Sequence, residues 1–146
     1  MAGERSTRIS RVFPLIEYDI SFDMNVDVLS RFLSFLSDVN TDIPITFYRD
    51  RIVIRQKSSD SVSFTEIEIE VSDVMNYDPG LPEGAGTKDT DNKLILIDGG
   101  ELAEEISSYA KGEDLINVKI DMKKLKKVEF SCNEFKTWVP LLVIPD

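Results

Sequence analysis

Residues 93–106, KLILIDGGELAEEI, set a strand-like run, a glycine pair and a helical run in the order in which nucleotide-binding folds hold phosphate. The details remove that chemistry. Gly99 and Gly100 form neither G-x-G-x-x-G nor a P-loop, which also needs Lys-Ser/Thr at fixed spacing. Glu101, Glu104 and Glu105 already occupy the electropositive start of the predicted helix, so a phosphate there would meet carboxylates. The stretch reads as a strand-to-helix corner.

Other catalytic chemistries thin out in the same way. The chain has 0 histidines, which removes the commonest general base, every Ser-His or Cys-His nucleophile pair and the commonest transition-metal ligand. The single cysteine, Cys132, excludes an intrachain disulfide and a Cys-rich zinc site and reads as core. The acids of residues 76–92 do not match a calcium loop, and no carboxylate pair stands at a spacing suited to acid–base work. No catalytic, cofactor-binding or metal residues are expected, so the chain reads as a non-enzyme.

Net charge is −10 and the pI about 4.5. Nucleic-acid binders carry a basic footprint, so any DNA role must rest on a local patch. Basic residues do cluster, as Arg5, Arg8 and Arg11, as Arg49, Arg51, Arg55 and Lys57, and as Lys119, Lys123, Lys124, Lys126 and Lys127. No apolar run approaches the roughly 20 residues of a membrane span, and the polar N-terminus lacks a secretory apolar region. These features predict a cytoplasmic protein with no membrane partner.

The elements that must carry any site follow from periodicity. Residues 17–24 alternate as a half-buried strand, and 25–40 place apolar side chains at helical spacing behind Asn25 as N-cap. IPITFYRD and RIVIRQK predict a tight hairpin about Asp50, and 62–71 a further strand whose alternation shifts between Phe64 and Ile67, suggesting a bulge. Residues 76–92 read as a loop. Then the order restarts: a strand at 93–98, a helix with Gly112 as C-cap, and strands over 115–122, 127–134 and 135–144. The last is apolar on both faces, and Pro140 favours an edge or bulge there.

Sliding one half along the other until Leu29 falls on Leu102 also sets Leu33 on Ile106, Ile43 on Ile116 and Phe47 on Ile120. A short insertion in the second half then pairs Ile52 with Val128. The prediction is an α+β fold of duplicated βαβββ units, two helices packed on antiparallel sheets. Residues 1–16 form an N-terminal arm and 17–146 one domain, with repeat halves at about 17–75 and 93–146.

That plan, with RIVIRQKSSDSVSFTEIEIE at 51–70 and LILIDGGELAEEISSYAKGEDLINVKI in the second half, resembles one domain of a DNA sliding clamp of the proliferating cell nuclear antigen type. The resemblance implies a processivity factor of DNA replication or repair that works as an oligomer, its partners copies of itself or replication and repair proteins. It implies helices facing DNA, where Arg31 and Lys111 are the basic residues, but residues 25–40 and 101–111 hold two basic groups against five acids. That balance disfavours DNA. It places a client-docking site at Lys57, Ser61 and Phe64, and subunit contacts on edges formed by strands of roughly 62–71 and 127–134. Glu66, Glu68 and Glu70 would meet Lys124, Lys126 and Lys127, with Trp138 on the last strand. The alternative is a stand-alone interaction or regulatory module with the same fold that does not encircle DNA.

Overall fold

The computed structural model describes residues 18–81, 92–109 and 114–144. The predicted arm, Lys111 and the Gly112 cap lie outside the described residues. The first unit is β1 (Ile20–Asn25), α1 (Val26–Val39), β2 (Asp42–Phe47), β3 (Arg51–Lys57) and β4 (Phe64–Glu70), and a 3-10 turn (Val71–Asp73) leads into β5 (Met75–Asp78). The second is β6 (Lys93–Asp98), α2 (Leu102–Tyr109), β7 (Leu115–Asp121), β8 (Lys127–Cys132) and β9 (Phe135–Pro140).

The units exchange their first strands. One antiparallel sheet runs β5-β1-β7-β8-β9 and the other β4-β3-β2-β6, so β1 joins the second unit's strands and β6 joins the first's. The registers repeat residue for residue. Ile20 faces Ile120 in one sheet, and their repeat equivalents, Lys93 and Phe47, face each other in the other. Arg51 and Lys127, which start β3 and β8, also coincide once the insertion in the second half is allowed for.

Alternation decides what each strand buries. Ile20, Phe22 and Met24 of β1 and Ile116, Val118 and Ile120 of β7 point inward, as do Ile95 and Ile97 of β6 and Val128, Phe130 and Cys132 of β8. The helices pack on each other and close this core with Val26, Leu29, Leu33 and Leu36 of α1 and Leu102 and Ile106 of α2. Val28 and Phe35, which share the helical spacing, fall on the outer side and stay exposed.

Equivalent side chains hold the two strand-to-helix corners, as N-cap of α1 in the first unit and ahead of the turn into α2 in the second. Asn25 Oδ1 accepts from the N–H groups of Asp27 and Val28 at 3.0 and 3.1 Å. Asp98, the repeat equivalent of Asn25, accepts through Oδ1 from Gly100 N–H at 2.9 Å. Asn25→Ala is expected to cost about 1 kcal/mol, read as a shift in the urea midpoint with unchanged slope. Gly99 is buried in the corner, donating to Thr41 O at 2.9 Å and accepting from Ser37 Oγ at 2.8 Å. A Cβ on Gly99 would collide with Ile43 Cδ1, so the corner is glycine for packing.

Three expectations change. β3 and β4 pair without interruption from Arg51 opposite Glu70 to Lys57 opposite Phe64, so there is no bulge between Phe64 and Ile67. Phe64 lies in phase with Glu66 on the solvent side, and its apolar character does not bury it. The irregularity falls instead in β5, carved from the start of the predicted loop: Ser21 pairs with Asp78 and Asp23 with Met75, leaving an extra residue where Asn76 turns to φ 52. Third, strand 127–134 is no edge. β8 runs between β7 and β9, and β9 takes the edge, with Pro140 as its last residue.

Candidate functional site

Lys57, Ser61 and Phe64 meet at the end of the β3–β4 hairpin. Ser61 sits at φ 61 in a turn closed by Ser58 N–H to Ser63 O at 2.9 Å, and Asp60 accepts from Val62 N–H at 3.1 Å. Lys57 Nζ lies 5.8 Å from the centre of the Phe64 ring, whose residue is 74% exposed. Val62 beside it is also exposed.

Lys57 also lines an apolar groove of about 280 Å³ with Pro44, Leu94, Ile95, Leu96 and Ile144. Its frame is built by Gln56, whose Nε2 donates to the carbonyls of Leu36, Asn40 and Asp42 at 3.0–3.1 Å, binding the end of α1 to the start of β2. Asn40 Nδ2 donates to Lys57 O at 3.2 Å. Beyond β9, Leu142 N–H donates to Leu96 O at 2.8 Å, which carries the chain from one sheet's edge to the other's and sets Ile144 as a wall. Sequence alone singles out only Lys57 of this groove; Pro44, Leu94 and Leu96 come together through β2–β6 pairing, which no local pattern announces.

The helix layer presents a different chemistry. Asp27, Asp38, Glu101, Glu104 and Glu105 are exposed on it, with Arg31 the one exposed basic residue among those described. Val28 and Phe35 sit between them, 41% and 53% exposed. Phosphates brought to this layer would meet like charge.

The predicted contact residues separate. Glu66, Glu68 and Glu70 line the outer face of the edge strand β4, but Glu66 is held by Arg55 at 2.6 Å and Glu68 by Arg51 at 3.8 Å, across the β3–β4 ladder. Lys124 and Lys126 occupy the β7–β8 turn, where Lys126 takes φ 49. Asp121, 1% exposed, pins that turn by accepting from the N–H groups of Lys123, Lys124 and Leu125 at 2.9–3.1 Å. Burial opposes its charge, yet those backbone donors hold its carboxyl below the usual carboxylate range. Lys127 is on the inner strand β8, 3.1 Å from Glu129 and 5.5 Å from the ring centre of Trp138 on β9. Among the described residues, no three His, Cys, Asp or Glu side chains are placed to share a metal ion, and no helix is long and apolar enough to cross a membrane.

Two exchanged βαβββ units with paired helices on one side define the fold of a sliding-clamp domain. Comparison with solved structures gives that class its members. The chain superposes on proliferating cell nuclear antigen from Entamoeba histolytica with TM-score 0.73 at 11% identity, over 88% of this chain and 49% of that one. The PCNA2–PCNA3 complex from Sulfolobus tokodaii matches at TM-score 0.69 and 13% identity, over 86% and 48%. DNA polymerase III subunit beta from Borrelia burgdorferi matches at 0.65 and 12%, over 94% and 34%. The chain thus spans a third to a half of the clamps it matches. No family model and no curated protein matches the sequence.

Proposed function

We propose that this chain is a clamp-like, non-catalytic protein of DNA replication or repair that joins copies edge to edge and holds partner proteins in the groove beside Lys57 and Phe64. The observation that carries this reading is the strand order, in which β4 and β9 are end strands of different sheets. β4 ends one sheet opposite β6, and β9 ends the other opposite β5, so both strands have only one ladder neighbour in the sheet order. Edge pairing uses backbone groups in the sheet plane, so Glu66, Glu68 and Glu70 steer the approach while the main chain makes the joint. The complexes among the similar structures, one of PCNA2 with PCNA3 and one of a clamp with the C-terminal region of FEN-1, support association between clamp chains and docked replication proteins.

Hydrogen exchange tests the edges directly. Amides of residues 64–70 and 135–140 are expected to gain protection as protein concentration rises, while inner strands such as β7 do not change. Unchanged exchange at both edges contradicts assembly through them.

One observation favours a second reading, a stand-alone interaction module that does not encircle DNA. The acidic, partly apolar helix layer suits a protein surface better than a phosphate backbone. Under that reading the groove still docks a partner and the chain stays monomeric.

A further inference from the structure

Lysines of this acidic chain cluster on the face of the β5-β1-β7-β8-β9 sheet turned away from the helices and on its β7–β8 turn. Thr137 Oγ1 reaches Glu105 of α2 at 2.7 Å, so its neighbour Trp138 points to the opposite side. There the cross-strand row reads Lys119, Glu129, Trp138 across β7, β8 and β9. Lys136 and Lys127 flank Trp138 along the sheet, Lys123, Lys124 and Lys126 extend the patch at the turn, and Tyr18 borders it, with Lys119 Nζ 5.1 Å from its ring centre.

Acids and bases on this face are sorted by depth. Glu129 is 7% exposed and is shared by Tyr18 Oη at 2.6 Å, Lys127 at 3.1 Å and Lys136 at 3.8 Å. Asp121 is turned into the β7–β8 turn, and Asp19 accepts from Met122 N–H at 2.7 Å. Lys123 and Lys136 keep their side chains outside at 84% and 62% exposure, Lys124 is also exposed, Lys127 is tucked in at 18%, and Trp138 is 56% exposed. Lys127 lies over the Trp138 ring and against Glu129, so the patch presents its outer ammonium groups beside a half-exposed indole.

We propose that this sheet face binds single-stranded DNA, with Trp138 stacking on an unpaired base and Lys119, Lys124 and Lys136 contacting the phosphates that flank it. A lone acidic polypeptide would use the lysines but leave the exposed indole idle. A duplex would offer no free base to the indole. Only an unstacked strand uses both at once. The site does not depend on whether copies assemble, because side chains leave the sheet face while edge pairing lies in its plane.

Trp138 is the chain's 1 tryptophan, so its emission reports this site alone. Titration with a short oligo(dT) at about 50 mM salt is expected to quench it saturably. With about three phosphates neutralised, affinity should fall about 15–20-fold by 200 mM salt. Trp138→Leu, followed by anisotropy of labelled oligo(dT), is expected to weaken binding about 5–10-fold, and circular dichroism should show the fold retained. Lys119→Ala with Lys136→Ala should flatten the salt dependence. Absence of quenching at low salt overturns the proposal, as does equal quenching by polyglutamate, tighter binding of oligo(U) than of oligo(dT), or unchanged affinity in folded Trp138→Leu.

Discussion

Phe47→Ala is expected to lower stability by about 3–5 kcal/mol, the largest loss for a single truncation in this chain. Phe47 is 1% exposed at the end of β2, paired with Ile52 on one side and Lys93 on the other. Its ring lies 6.1 Å from that of Phe22 on β1, which lies 6.3 Å from Tyr77 on β5. Because β2 belongs to one sheet and β1 and β5 to the other, these rings join the sheets. Truncation removes the buried apolar surface, leaves a cavity that rigid strands cannot collapse into, and breaks the aromatic contact. For a domain of this size the loss corresponds to about 6–20 °C in melting temperature. Against a usual total of about 5–15 kcal/mol it brings the protein close to unfolding. Its counterpart in the second repeat, Ile120, is as buried, and Ile120→Ala is expected to cost about 2–5 kcal/mol. Urea titration of both variants checks the pair. A loss below about 1 kcal/mol at Phe47 would show that the sheets are held elsewhere.

The second large effect belongs to Asp121. Asp121→Ala strips the acceptor from the N–H groups of Lys123, Lys124 and Leu125 and is expected to cost about 2–4 kcal/mol. Asp121→Asn keeps one acceptor oxygen and should lose roughly half as much. The two variants also differ from the parent in pH dependence. The folded carboxyl titrates below its unfolded value of about 3.9. Its contribution is therefore complete above that pH and is lost as pH falls through the folded pKa. Glu129, whose carboxyl is likewise held low by Tyr18 and Lys127 against the cost of burial, adds stability in the same window. The stability difference between the parent and Asp121→Asn should shrink below about pH 4. A difference that stays constant down to pH 2 would assign the loss to packing.

Much of this architecture is legible residue by residue. Ile20, Phe22 and Met24 alternate because one face of β1 is core, and Leu29, Leu33 and Leu36 recur at helical spacing for the same reason. The offset that sets Leu29 on Leu102 reappears as identical sheet registers and as the matched corner acceptors Asn25 and Asp98. Strand exchange is not legible, since alternation says that a face is buried and never which strand lies beside it. That one omission explains another. It hides the meeting of Pro44 with Leu96 that floors the groove, while β8 is inner simply because β7, β8 and β9 pair in chain order, which takes Lys127 off the edge. β5 escapes because MNYD is short and mostly polar, and its pairing with β1 is visible only in three dimensions. Phe64 is exposed because the unbroken β3–β4 register, without the expected bulge, puts it outside. The acids of the helix layer are legible directly, and their exposure strengthens the case against duplex DNA on that face.

The proposal that copies join through β4 and β9 meets its most direct test in sedimentation velocity of the full chain over a wide concentration range. The runs use about 20 mM and about 500 mM salt, so that charge steering is first felt and then screened. Assembly predicts a mass above one copy of 16.6 kDa that grows with concentration and is greater at low salt. A single species of one-copy mass at the highest concentration in both salts would contradict assembly and leave the chain a stand-alone interaction module.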